Sequence, residues 1–112
     1  MKFIIQNLIK NLVTLMVNAD YDKILIRKEN GRLSKEEIET ALTNYPGIIT
    51  MPPDFAYSSI DIYEIYDEKT QARNIEFDLW YDNKVSDLTL EAAVHKKDTD
   101  EYCISIDDIR VL

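Results

Sequence analysis

Four carboxylates in the C-terminal half, Glu76, Asp78, Asp87 and Glu91, alternate with apolar neighbours and hold most of the chemical potential of this sequence. Crowded carboxylates can raise one another's pKa and so supply acid–base pairs. They can equally present a field that draws in a cationic surface. Trp80, Thr89 and Ser105 fall on the same side of the alternation. A tryptophan in that setting is an aromatic anchor of the kind interfaces favour. The bland alternative is a solvated sheet face whose charges only keep it wet. All three readings stand at this level.

Other reactive groups are sparse. Cys103 is the single cysteine and His95 the single histidine, and neither has a nucleophile-type motif around it. One cysteine excludes an intrachain disulfide. Within Tyr102-Cys103-Ile104 it reads as a small, half-buried apolar side chain. Asp20, Asp22 and the pair Asp107-Asp108 lack the spacing of a calcium loop. There is no glycine-rich phosphate loop, metal-ligand cluster or Ser/His/Asp order. The expectation is a protein that is not an enzyme and takes no metal or cofactor.

Those carboxylates need strands to position them. Asn74 to Tyr81 alternates cleanly, with Ile75, Phe77, Leu79 and Tyr81 on one face and Asn74, Glu76, Asp78 and Trp80 on the other. From Ser86 to Lys96, Leu88, Leu90, Ala92 and Val94 alternate against Asp87, Thr89, Glu91, Ala93 and His95. The last strand places Tyr102, Ile104 and Ile106 inward, then slips at Asp107-Asp108 before Ile109 and Val111, the mark of a β-bulge. An earlier strand is expected over Ile60–Tyr66, with turns at Asp67 to Arg73, Asp82-Asn83-Lys84 and Lys97 to Asp100.

The N-terminal half is helical. Ile4, Leu8, Leu12, Leu15 and Met16 recur at helical spacing from about Phe3 to Asn18, and Ile5, Ile9, Val13 and Val17 widen the apolar stripe. Ser34-Lys35-Glu36-Glu37 is a capping box opening a second helix, which Tyr45-Pro46-Gly47 ends. Tyr21–Ile26 is ambiguous between a helical turn and a short strand. Ile48 to Ser59 reads as an extended connection, because Pro52 and Pro53 cannot donate ladder hydrogen bonds. Phe55 and Tyr57 are expected to pin it to the body. The fold class is α+β: two N-terminal helices on one face of an antiparallel sheet of about four strands.

At 112 residues, with 46% hydrophobic and 30% charged residues, the chain is one globular domain spanning 1–112. Its net charge of −8, from 13 Lys+Arg against 21 Asp+Glu, argues against nucleic acid as a partner. The apolar start is interrupted by Gln6, Asn7, Lys10 and Asn11 and so does not read as a signal peptide. No run is long enough for a membrane span. A cytoplasmic location is expected.

Asp78-Leu79-Trp80-Tyr81, Ser86-Asp87-Leu88-Thr89-Leu90 and the closing Ile104-Ser105-Ile106-Asp107-Asp108-Ile109-Arg110-Val111-Leu112 resemble a family of short bacterial proteins. The strands of that family read DLWT…SDLTL, and its members end in IDDIHVL. Leu33-Ser34-Lys35-Glu36-Glu37-Ile38, Met51-Pro52-Pro53 and Asn18-Ala19-Asp20-Tyr21 look like it too. Ala19 stands where the family usually has glycine, and Arg110 where it has histidine. The resemblance implies a cystatin-like or NTF2-like arrangement. It also implies a link to immunity proteins of contact-dependent growth inhibition. The expected partner is then a cognate toxin protein domain, basic and most readily a nuclease. It would be bound through Glu76, Asp78, Trp80, Asp87, Thr89 and Glu91. The competing reading is a small-ligand-binding protein or enzyme of the NTF2-like kind, with a pocket between helices and sheet.

Overall fold

The computed structural model describes residues 2–63, 72–97 and 101–112. Helix α1 runs over Lys2–Val17, α2 over Tyr21–Ile26 and α3 over Lys35–Thr43. Strand β1 is Ile49–Thr50, β2 Asp61–Tyr63, β3 Arg73–Tyr81, β4 Lys84–Lys96 and β5 Tyr102–Val111. All pairings are antiparallel. The order is β1-β3-β4-β5, with β2 sharing the β1 edge of β3. The α+β expectation holds in this form, an open antiparallel sheet with N-terminal helices. Parts of the expected 60–66 strand and of the turns at 67–73 and 97–100 lie outside the described residues.

Three differences from the sequence reading have physical causes. Tyr21–Ile26 is a helix, so there are three helices among the described residues rather than two; burial of Tyr21 and Ile24 on one side fits a helical turn. The connection over 48–59 is not simply extended, because Asp54–Ser59 forms a 3-10 turn after Pro53. Of its two expected pins only Tyr57 is buried, stacking on Phe77 with centroids 5.2 Å apart. Phe55 is 69% exposed and meets Trp80 instead.

The alternation of β3 and β4 governs the core. Ile75, Phe77, Leu79, Tyr81, Leu88, Leu90, Ala92 and Val94 are all buried, and they face Ile5, Ile9, Leu12, Val13 and Met16 of α1 in one continuous cluster. The Tyr81 hydroxyl donates to the Leu42 carbonyl at 2.6 Å, tying the end of α3 to β3. Asp82 and Asn83, both at positive φ, make the two-residue hairpin turn that suits twisted strands.

The free edge of β5 is covered by the α2–α3 loop. The Ile106 amide donates to the Glu29 carbonyl at 2.8 Å, and Gly31 sits so close that a Cβ would lie 2.1 Å from the Ile106 carbonyl oxygen. Gly31 also has φ +59°, a conformation that glycine adopts without strain. Farther along, the Asp108 carboxylate takes the Ile109 amide at 2.8 Å. Both devices occupy edge donors that would otherwise recruit another strand.

The capping box is present in full: the Ser34 hydroxyl accepts from the Glu37 amide at 3.1 Å, and the Glu37 carboxylate accepts from the Ser34 amide at 3.1 Å. Ser34→Ala should therefore cost about 1 kcal/mol in urea unfolding. Gly31→Ala should cost more, about 1–3 kcal/mol, because it adds both strain and a clash with β5. The reverse ranking would show that the loop is not anchored on the strand.

Candidate functional site

On the sheet face turned away from the helices, four carboxylate residues stand in consecutive register across four strands. Asp61 opposes Glu76, Glu76 opposes Glu91, and Glu91 opposes Asp108. Asp78 lies on the same face, opposite Thr89, which in turn opposes Arg110. Like charges directly across a ladder repel, because their Cβ atoms are only about 5 Å apart. The expected gathering of Glu76, Asp78 and Glu91 is thus observed, and it is wider than the sequence reading by Asp61 and Asp108.

The compensation is one-sided. Arg110 Nε lies 2.5 Å from Glu91 Oε1 and 3.8 Å from Asp108 Oδ2, so the β5 end of the row has its own cation. Asp78 accepts the Thr89 hydroxyl at 2.9 Å. Asp61 and Glu76 have no hydrogen-bond or ion-pair partner among the described residues. The carboxylates of β2 and β3 in the row are therefore the ones without a directly bonded cation among the described residues, although Arg110 acts on Glu76 through space.

Two predicted members depart from the face as expected. Thr89 is only 3% exposed, so it positions Asp78 rather than offering a contact of its own. Asp87 is not part of the row. Between Asp78 and Trp80 the register jumps from Thr89 to Val85, and the extra β4 residues form a bulge. The Ser86 hydroxyl donates to the Leu79 carbonyl at 2.5 Å and takes the Leu88 amide at 3.2 Å, holding that irregularity. Asp87 accepts a hydrogen bond from the hydroxyl of Tyr45, which packs on buried Tyr81 beyond the end of α3. That bond raises the Tyr45 pKa, and the carboxylate is committed within the fold.

Trp80 does lie on the outer face, half-buried, opposite Val85. Phe55 meets it with ring centroids 6.0 Å apart and planes at 76°. Together with Val85, the two rings and Asp61, Glu76 and Asp78 line a cleft of about 260 Å³. Sequence reasoning missed Asp61, Phe55 and Val85. Asp61 alone carried a signal: it alternates with Ile60 and Ile62 ahead of a hairpin.

At the far end of the same sheet, Cys103 stands opposite His95, with Sγ 2.8 Å from Nε2. Burial pushes the thiol pKa up, which opposes thiolate formation. Glu29, on the loop covering β5, is 9% exposed, and its Oε1 has no partner among the described residues. Burial raises its pKa above the ordinary 4.5, outweighing Arg27 and Lys97. Among the described residues no cluster of His, Cys, Asp or Glu could hold a metal ion.

These electrostatics give two expected outcomes. Glu76→Gln relieves repulsion on both sides and should stabilise the fold by about 0.2–1 kcal/mol at low salt, the gain shrinking as salt screens the row. A destabilised variant would mean that Glu76 is held by an attractive partner. For Glu29 the folded state binds a proton more tightly than the unfolded state, so its contribution falls as pH rises above the unfolded value. Glu29→Gln should accordingly raise the urea midpoint at pH 7, with the gain fading as the pH approaches 4.5. An equal gain at both pH values would contradict that origin.

No curated protein and no solved structure matches the chain. The outer-face residues all lie within the stretch matched by a family model, which covers residues 13–112 and is described as a domain of unknown function, DUF7668, and the chain belongs to that family.

Proposed function

We propose that this protein is a binding protein without catalytic activity: an immunity protein that neutralises a cognate bacterial toxin domain by docking its outer sheet face on it. The observation that carries this reading is the row Asp61, Glu76, Glu91 and Asp108, of which, among the described residues, only the β5 end is directly paired with a cation. Opposed carboxylates cost stability in the isolated chain. They become favourable when a cationic surface approaches, and they speed its encounter. Nuclease toxins carry such surfaces, because they must bind phosphates. A nuclease domain is therefore the partner with the best-matched charge.

The resemblance to short bacterial proteins linked to contact-dependent growth inhibition supports the same reading, with a cystatin-like or NTF2-like arrangement and a cytoplasmic site of action. No helix among the described residues is long and apolar enough to cross a membrane. The space between α1 and the sheet is packed with Ile5, Ile9, Leu12, Leu79 and Leu90, each at 0% exposure. That packing favours docking over the small-ligand reading, which needs a polar-lined pocket there.

The purified protein should form a complex with the toxin domain encoded by the adjacent gene, at micromolar affinity or tighter and with an association rate that falls as salt rises. Glu76→Lys and Asp78→Lys should each slow association about tenfold. Absence of a complex at micromolar concentrations removes the reading. Salt-independent association would place the contact elsewhere on the protein.

A further inference from the structure

The cleft over β3 has features that charge steering alone does not require. Its walls are aromatic and apolar: Phe55 is 69% exposed, Val85 is 60% exposed, and Trp80 is half-buried. Leaving such rings in water forgoes the burial that most large apolar side chains obtain. The 76° angle makes the two rings a corner rather than a sealed stack. Asp61 and Glu76, the two carboxylates of the row without a hydrogen-bond or ion-pair partner among the described residues, line the same cleft. Asp78 joins them, oriented by Thr89.

We propose that this cleft seats one arginine side chain projecting from the partner protein. This rests on the docking reading and narrows it to a point of contact. Charge complementarity selects a cation. The aromatic corner selects arginine over lysine, since a planar, weakly hydrated guanidinium stacks on rings and bonds carboxylates in pairs, whereas an ammonium is a compact, strongly hydrated charge. The cleft's volume of about 260 Å³ accommodates a side chain and excludes a folded element. A buried arginine among aromatics is also the kind of residue that dominates interface energetics.

Trp80 is the only tryptophan, so its fluorescence reports on this cleft alone. The full chain is titrated with acetyl-Gly-Arg-Gly-amide and with the same peptide carrying citrulline, the neutral isostere. Expected are a saturable change in Trp80 emission with the arginine peptide and a loss of at least about tenfold in affinity with citrulline. Asp61→Asn and Glu76→Gln, both at the surface, should weaken the arginine peptide while leaving the circular dichroism unchanged. Equal binding of the two peptides, no saturable change, or indifference to both substitutions overturns the proposal. The toxin titration separates the two readings. A toxin complex that leaves Trp80 emission unaltered overturns the arginine seat and leaves the immunity reading standing. A cleft that takes the arginine peptide in a protein that binds no toxin keeps the seat and removes the immunity reading.

Discussion

The pleat of β3 and β4 is the constraint from which both sides of this molecule follow. Eight alternating apolar side chains on these two strands are buried against α1 and its neighbours. At about 25 cal/mol per Å² of apolar surface, that burial far exceeds what any surface pair can contribute. A one-residue slip in either strand would turn the whole set outward. The intervening residues are therefore fixed on the opposite face whatever their mutual repulsion. Glu76 and Glu91 face one another because Ile75, Phe77, Leu90 and Ala92 must face the helices.

Two bulges modify that rule, and each has a consequence. In β4 the extra residues between Val85 and Thr89 let Asp87 serve Tyr45 and keep it out of the acidic row. They also bring Val85 opposite Trp80, which completes one wall of the cleft. In β5 the extra residue Asp107 restores Ile109 to the core after Ile106 and leaves Asp108 and Arg110 outward. Burial and the neighbouring Glu91 raise the Asp107 carboxyl pKa, so the bulge carries an electrostatic cost of its own. Arg110, placed by that shift, pairs directly with Glu91 and Asp108 and reaches Glu76 only through space.

The two ends of the sheet are managed in contrasting ways. At β5 the Glu29–Gly31 loop and the Asp108 side chain occupy edge donors, which suppresses strand addition. At β3 the partners β1 and β2 each cover only part of the strand, and the 3-10 turn spans the gap between them. Tyr57 reaches inward from that turn to Phe77, and Phe55 reaches outward to Trp80. Lys10 binds Asp54 at 3.1 Å, fixing the turn to α1. The aromatic corner is thus held by the core on one side while it stays open on the other.

The sequence by itself determined the helices with strong periodicity or caps, the inward sets of β3, β4 and most of β5, and the bulge at Asp107. Each is a local pattern, written in residues a few positions apart, and burial enforces it directly. It also determined that Glu76, Asp78 and Glu91 share a face, because β3 and β4 are joined by a two-residue turn that sets their register. Only the tertiary structure decided that Asp61 and Asp108 extend the row, that Phe55 lies beside Trp80, and that Tyr45 claims Asp87. Those relations join residues 15 to 42 positions apart through a 3-10 turn and two bulges. No alternation encodes the direction a side chain takes once the ladder is broken.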